Sequence, residues 1–125
     1  MIDHVTISVS DLERSRKFYE EAFSPLGYKI AFGEKGKFWA FDIGKGFLFE
    51  ICSAKTEGAL TSFHIAFRVA SQQKVREFYD SAILAGARDN GAPGPRPHYT
   101  ENYYACFVHD PDGHNIEAVF DTWKS

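Results

Sequence analysis

Hydrophobic and polar positions follow a fixed order in the first half of the chain. Residues 2–9 alternate between apolar and polar side chains, which predicts a half-buried strand. Residues 12–26 carry an apolar stripe at helical spacing and predict a helix that ends at Pro25 and Gly27. Three short strands are predicted after it, at about 28–32, 37–43 and 46–52, with glycine-containing turns between them.

The second half of the chain repeats this order. Residues 3–20 align with residues 63–80 at an offset of 60, and five positions are identical: His4/His64, Val9/Val69, Arg16/Arg76, Phe18/Phe78 and Tyr19/Tyr79. A second similarity, at an offset near 67, places Glu50 on Glu117. The repeat predicts an α+β fold made of two paired βαβββ modules, at about 1–55 and 60–121, within one domain over residues 1–125.

Local signals add detail to the two halves. Ser10 and Glu13 have the spacing of a capping box at the start of the first helix, and Ser71 is the expected cap of the second. Strands are expected at about 62–69, 103–108 and 115–120. Segment 91–98 is rich in proline and glycine and predicts a loop, which serves either as a hairpin connection or as the rim of a binding pocket.

Composition excludes several classes of protein. The chain has 125 residues with 44% hydrophobic and 25% charged residues, which fits one globular domain and excludes disordered and fibrous proteins. Its net charge is −3 and its basic residues are not clustered, so no nucleic-acid partner is expected. No apolar run reaches the ~18 residues of a membrane span, and the first residues lack a signal-peptide pattern. Cys52 and Cys106 form no Cys-x-x-Cys pair; a single disulfide is possible, but a reduced, cytoplasmic chain is the simpler interpretation.

Two histidines and two glutamates occupy equivalent positions of the repeat: His4, His64, Glu50 and Glu117. A pseudo-twofold axis, within one chain or between two chains, would bring the two histidines together and the two glutamates together, so that all four meet at one site. Two imidazoles and two carboxylates suit a divalent Ni, Co, Zn, Mn or Fe ion, and the absence of thiolates excludes a cysteine-type structural zinc site. A single histidine in a strand is more often an ordinary hydrogen-bonded residue, and a single glutamate at a strand end is more often solvated. A metal site is favoured here because the same repeat relates histidine to histidine and glutamate to glutamate.

Glu50 lies in the apolar run 47–51, and we expect it to be buried and to require a cation. A metal at this site would act as a Lewis acid on a carbonyl oxygen. Glu50 and Glu117 are therefore the candidate catalytic residues, since a carboxylate that loosens from the metal can act as a base.

Two segments carry a resemblance to a known family. One is the turn and strand at 110–117, Asp-Pro-Asp-Gly-His-Asn-Ile-Glu. The other is the opening segment, with His4, residues 10–15 and Phe18-Tyr19. The chain resembles the vicinal oxygen chelate superfamily, the group of glyoxalase I, bleomycin resistance proteins and extradiol dioxygenases. The resemblance implies the paired βαβββ fold, a homodimer and a small-molecule substrate. It implies four metal ligands if the chain follows glyoxalase I, and His4, His64 and Glu117 alone if it follows the dioxygenases or the fosfomycin-modifying members.

The leading hypothesis is a metal-dependent enzyme of lactoylglutathione-lyase type, which moves a proton next to a carbonyl. An extradiol-type dioxygenase and a drug-binding resistance protein, with or without metal, are the alternatives. The candidates for holding the carboxylates of glutathione are Arg14, Arg16, Arg68 and Arg96; the candidates for lining the pocket are Trp39, Phe49, Tyr103 and Tyr104. His98 is a possible ligand contact, Cys52 shares the strand parity of Glu50, and His109 and His114 are expected to be exposed.

Overall fold

The computed structural model describes residues 2–54 and 64–122. It contains two four-stranded sheets, each with one helix, so the prediction of two βαβββ modules is confirmed. The elements of module 1 are β1 (His4–Val9), α1 (Leu12–Phe23), a 3-10 turn (Ser24–Leu26), β2 (Lys29–Glu34), β3 (Phe38–Asp42) and β4 (Leu48–Ser53). Those of module 2 are β5 (His64–Arg68), α2 (Gln72–Leu84), β6 (Arg88–Pro95), β7 (Tyr104–His109) and β8 (Asn115–Phe120).

The two sheets have the same topology, and their first, fourth and third strands pair in the same register, whereas β6 has one register shift more than β2. Their strand orders are β1-β4-β3-β2 and β5-β8-β7-β6, and the first pair of each is parallel. Thr6 lies opposite Glu50 in module 1, and Ala66 lies opposite Glu117 in module 2. The sequence offsets of 60 and 67 are therefore structural, and Glu50 and Glu117 occupy equivalent places in their sheets.

The helices begin at capping residues, as the sequence predicts for one of the two. Ser71 accepts a hydrogen bond from the backbone N–H of Lys74, which confirms it as the cap of α2. The predicted capping box of α1 is wrong by one residue, because Asp11 is the cap and accepts from the N–H of Arg14. Ser10 instead hydrogen-bonds to Asp112 of module 2. A residue that looked local in sequence thus joins the two modules.

One hydrophobic core is shared by both modules, between the helices and the sheets. Phe23 of α1 is fully buried and lies with its ring centroid 5.3 Å from that of Phe67 on β5 and 6.5 Å from that of Phe78 on α2. The opposite faces of the two sheets point away from this core. These outer faces carry the side chains of His4 and His64, which is why both imidazoles are accessible.

The prediction that 91–98 is a loop is wrong for its first part. Residues up to Pro95 belong to β6, the edge strand of module 2, which pairs with β7 through register shifts at Gly91 and Gly94. An edge strand with such irregularities tolerates proline, since proline removes only the hydrogen bonds that an edge does not use. Residues 96–103 form the connection to β7. In the described ranges, no helix is long and apolar enough to cross a membrane.

Candidate metal site

A histidine and a glutamate meet on module 2. His64 comes from β5 and Glu117 from the adjacent parallel strand β8. The Nε2 atom of His64 lies 2.8 Å from Oε1 of Glu117. The hydroxyl of Tyr103, at the end of the loop before β7, donates a hydrogen bond to Oε2 of the same carboxylate. The three side chains form one connected group at the base of a cleft with a volume of about 630 Å³.

Burial makes this carboxylate unusual. The side chain of Glu117 is 4% exposed, and that of His64 is 44% exposed. In the described part of the chain, Glu117 pairs with no charged side chain other than His64. Burial, and then the neighbouring carboxylate, raise the pKa of Tyr103, so its hydroxyl stays protonated and keeps donating. A buried carboxylate with no permanent cation beside it is costly, and an imidazole and a carboxylate suit a divalent transition metal. These residues therefore fit a metal ligand set.

The equivalent pair on module 1 is arranged more loosely. Oε1 of Glu50 lies 3.5 Å from the hydroxyl of Thr6, across the β1–β4 pairing. Nδ1 of His4 lies 2.9 Å from a carboxylate oxygen of Asp3, and that hydrogen bond raises the pKa of His4, with the charge of Glu50 adding to the effect. His4 is exposed and Glu50 is half-buried.

The expectation that Glu50 is buried in an apolar strand is wrong. Phe49 and Ile51 point into the core, and Glu50, between them, points to the opposite face of the sheet. Glu117 is the truly buried carboxylate, because the loop residue Tyr103 covers it. Burial at these equivalent positions is thus decided by neighbouring loops rather than by the strand sequence.

The four predicted ligands form two half sites in one chain. His4 and His64 line a common cleft of about 360 Å³ between the ends of β1, β4 and β5. Among residues 2–54 and 64–122 of a single chain, however, no three His, Cys, Asp or Glu side chains come close enough to hold one metal ion. Convergence of all four residues across two chains stays a prediction.

The four arginines considered for binding carboxylates lie elsewhere. Arg16 pairs with Glu13, at 2.7 Å, and with Glu20 on its own helix. Arg14 hydrogen-bonds to Ser10. The guanidinium of Arg96 donates to backbone carbonyls of β6, and Arg68 lines a separate cleft. None of the four is among the residues that line the cleft of Glu117.

One of the four aromatic candidates, Tyr103, lines that cleft. Phe49 is in the core, the indole N–H of Trp39 lies 3.3 Å from Glu13, and the hydroxyl of Tyr104 accepts from Arg76. Sequence reasoning missed two aromatic residues of the cleft, Tyr99 and Phe107. Strand parity could have found Phe107, because it lies directly opposite Glu117 in the β7–β8 pairing.

The remaining candidates divide between site and scaffold. His98 lines the cleft of Glu117. Cys52 is half-buried, with its Sγ 3.7 Å from the hydroxyl of Ser8. His109 is half-exposed, whereas the expected exposure of His114 is wrong, because its side chain is 3% exposed.

His114 belongs to a buried polar cluster, which we call the module clamp: Tyr19, Asp110 and His114. The carboxylate of Asp110 accepts a hydrogen bond from the Tyr19 hydroxyl at 2.6 Å. It also lies 2.7 Å from Nδ1 of His114 and pairs with that imidazole. Burial alone would raise the pKa of Asp110, but the hydrogen bonds from His114 and Tyr19 outweigh it and lower the pKa. The turn before β8 is therefore fixed against α1 of module 1.

Comparisons with known proteins agree with this architecture. The sequence model of the Glyoxalase/Bleomycin resistance protein/Dioxygenase superfamily matches residues 1–118. The metallothiol transferase FosB of Shouchella clausii (strain KSM-K16) is 29% identical over 121 residues, which cover 94% of this chain and 77% of that protein.

Two crystal structures show the same fold. A glyoxalase/bleomycin resistance protein from Albidiferax ferrireducens T118 superposes with a TM-score of 0.83 at 26% identity, covering 97% of this chain and 98% of the other. A lactoylglutathione lyase from Agrobacterium tumefaciens superposes with a TM-score of 0.75 over 98% and 95% of the two chains; at 16% identity it is similar in fold alone. With its repeated modules, its matching registers and a family match that covers nearly all of its length, the chain belongs to the glyoxalase/bleomycin resistance protein/dioxygenase superfamily.

Proposed function

We propose that the chain is a metal-dependent enzyme of glyoxalase type, which moves a proton next to a carbonyl group of a small substrate or thiol adduct. The observation that carries the proposal is the buried carboxylate of Glu117, 2.8 Å from the imidazole of His64 and fixed by Tyr103. This group has two ligand types that bind divalent transition metals and no permanent positive charge to balance it in the described part of the chain.

We propose further that the complete site forms in a homodimer. One chain presents His4 and Glu50 on the outer face of the first sheet, and His64 and Glu117 on that of the second. The histidine side chains are 53% and 44% exposed, so both are open to a partner. A twofold axis that places module 1 of one chain against module 2 of another completes two identical sites at once.

The two carboxylates are suited to different tasks. Glu117 is held through both oxygens, by His64 and by Tyr103, and this favours a fixed ligand. Glu50 has one long contact, with Thr6, and is half-buried, so it can move. A metal ion held here would supply Lewis acidity to the carbonyl oxygen. Glu50 would take the proton from the hydroxyl-bearing carbon next to the carbonyl and deliver it to the former carbonyl carbon. The hydroxyl proton passes to the former carbonyl oxygen, so the product is an isomer of the substrate.

The second candidate function is transfer of a thiol to a small substrate. It is favoured by the similarity to the metallothiol transferase FosB over 94% of the chain. In this reaction His4, His64 and Glu117 serve as three ligands, and Glu50 has no part in proton transfer. An extradiol-type reaction is disfavoured by Glu50, which would fill a coordination position that oxygen needs.

Metal binding and turnover test the proposal together. We expect protein prepared without added metal to take up one equivalent of Co²⁺ or Ni²⁺ per chain, to be a dimer by light scattering, and to isomerise the hemithioacetal of methylglyoxal with a thiol. Glu117→Gln should weaken metal binding at least a hundredfold, and Glu50→Gln should abolish isomerisation. Glu13→Gln, on the outside of α1, is the control and should change neither.

Each result separates the candidates. A metal-loaded wild type that adds thiols to an epoxide but does not isomerise the hemithioacetal favours thiol transfer. Protein that binds no divalent metal, or a strict monomer at micromolar concentration, contradicts the proposal itself. Binding of iron with ring cleavage of a catechol favours the dioxygenase.

A further inference from the structure

The cleft above Glu117 is lined by a row of aromatic rings. The ring centroids of His98 and Tyr99 lie 4.3 Å apart, and those of Tyr99 and Tyr103 lie 4.9 Å apart. The row ends at the candidate metal site, because the hydroxyl of Tyr103 donates to Glu117. A ligand atom at the His64–Glu117 pair would therefore lie next to a continuous aromatic surface.

A second aromatic group reaches the same place from β7. Phe107 also lines the cleft, and its ring stacks on the imidazole of His64 at a centroid distance of 6.0 Å and an interplanar angle of 29°. The guanidinium of Arg96 lies 5.5 Å from the centre of the Phe107 ring. Its nitrogens donate to backbone carbonyls, at 2.8 Å to Gly94 and 3.0 Å to Ala92. These contacts hold the guanidinium against the Phe107 ring and the backbone of β6.

The fold does not need these rings. Tyr99, Tyr103 and Phe107 are not part of the buried core or of the side chains packed against it, and Tyr99 is 55% exposed. Module 1 has the same topology without them, since Ala40 lies opposite Glu50 where Phe107 lies opposite Glu117. Aromatic side chains that are exposed or half-buried outside the core, at places where the homologous module has small residues, are typical of a binding surface.

The loop that carries the row is held in place. The hydroxyl of Thr100 donates to the carboxylate of Asp121 at 2.6 Å, and the side-chain amide of Asn102 donates to Thr122 at 3.1 Å. The backbone N–H of Arg96 donates to the carbonyl of Tyr103 at 2.7 Å across the base of the loop. Rings on an ordered loop lose little entropy when a ligand binds, so their contact energy appears as affinity.

We propose that the cleft of module 2 binds an aryl group of the substrate against Tyr99, Tyr103 and Phe107, while oxygen atoms of the same substrate reach the metal held by His64 and Glu117. The inference rests on the proposed metal site and adds the class of substrate. It requires ligands with a flat ring to bind more tightly than ligands with the same oxygen atoms and no ring.

Three hydroxamates that share one chelating group test the requirement by calorimetry on the Co²⁺-loaded protein: acetohydroxamate, cyclohexanecarbohydroxamate and benzohydroxamate. We expect benzohydroxamate to bind about tenfold more tightly than acetohydroxamate, since contacts with two or three rings contribute about that factor. The saturated ring has a similar size but is not flat, and we expect it to bind several-fold more weakly than the aromatic ring. Benzohydroxamate within twofold of either of the other two overturns the proposal.

Substitutions at Tyr99 locate the effect. Tyr99→Ala should remove most of the preference for the aromatic ring, and Tyr99→Phe should retain it. Leu84→Ala, at an 87% exposed apolar side chain at the end of α2, is the control and should also retain it. A full preference in Tyr99→Ala overturns the aryl site while the metal site stands. If none of the hydroxamates binds to the metal-treated protein, the metal site and the aryl site are both wrong.

Discussion

The two modules share a topology, and the strands next to the glutamate of the fourth strand share a register, but the modules differ in the residues that surround this glutamate. In module 1, Glu50 faces Ala40, and the connection before β3 is the short turn 35–37. In module 2, Glu117 faces Phe107, and the connection before β7 spans residues 96–103 and covers the carboxylate with Tyr103. One module has a half-buried carboxylate with one long contact, and the other has a buried carboxylate held through both oxygens. The sheets supply equivalent positions, and the loops give them different chemistry.

The turns before β4 and β8 also differ in burial. Substitution of the aspartates at these turns is expected to give the largest difference in stability between the modules. Asp110 is buried in the module clamp, whereas Asp42, before the equivalent turn of module 1, is half-buried and accepts from the N–H of Gly44 at 2.7 Å. Asp110→Asn should lower the free energy of unfolding by about 2–3 kcal/mol, because it removes the buried carboxylate that accepts hydrogen bonds from Tyr19 and His114. Asp42→Asn should lower it by less than about 1 kcal/mol. Urea unfolding measures both, and equal effects would contradict the difference between the turns.

The module clamp also predicts a pH dependence. The pKa of Asp110 is lower in the folded chain than its usual value of 3.8. A lowered carboxyl pKa contributes stability that is present above the unfolded value and is lost as the pH falls through the folded value. Wild type should therefore lose stability below about pH 4, and Asp110→Asn should lose less over the same range. Urea midpoints between pH 3 and 6 check this; parallel curves for the two proteins would remove Asp110 as a cause.

Tyr103 offers a direct way to make module 2 more like module 1, where the offset of 67 places Gly36 at the equivalent position. Tyr103→Phe removes the hydrogen bond that fixes Glu117, and we expect a loss of about 1 kcal/mol in stability and about tenfold in metal affinity. Tyr104→Phe is the matched control, because its hydroxyl bonds to Arg76 outside the cleft. Cobalt titration followed by visible absorption measures the affinity. An unchanged affinity in Tyr103→Phe would mean that the hydroxyl does not position the carboxylate.

The smallest difference between the modules concerns the side-chain contacts on the surfaces of α1 and α2. Arg16 of α1 pairs with Glu13 and Glu20, whereas its repeat counterpart Arg76 donates to the hydroxyl of Tyr104. Surface ion pairs on a helix are weak and are screened by salt, so Arg16→Ala should cost about 0.5 kcal/mol at low salt and close to nothing in 1 M NaCl. Arg76→Ala should show little dependence on salt. Thermal unfolding at two salt concentrations compares them, and the same salt response in both variants would refute the distinction.

Sequence periodicity predicted the modules because a repeat constrains many positions at once. The offsets of 60 and about 67 predicted that His4 is equivalent to His64 and Glu50 to Glu117, and the strand pairing of the two sheets agrees with this. The predictions that were wrong concern residues whose burial depends on contacts made in only one of the two modules. Glu50 looked buried because its neighbours are apolar, yet strand alternation turns it outward. His114 looked exposed because it follows a polar turn, but that turn packs under α1.

The same limit explains the missed aromatic residues and the missed strand. Tyr99 and Tyr103 meet through a loop whose shape depends on Thr100 and Asp121, which are far apart in sequence. Strand β6 contains proline and glycine at places where a central strand could not tolerate them. Its position at the sheet edge, which no local pattern reveals, makes that composition acceptable.

The irregular edge of module 2 has a consequence for how copies of the chain can associate. A regular edge strand presents a row of free N–H and C=O groups and invites another chain to extend the sheet without limit. Pro93 and Pro95 have no N–H to offer, and the register shifts at Gly91 and Gly94 bend the strand out of the flat form that stacking requires. Growth of fibrils by addition of strands at β6 is therefore discouraged, which leaves the proposed homodimer to form through other surfaces.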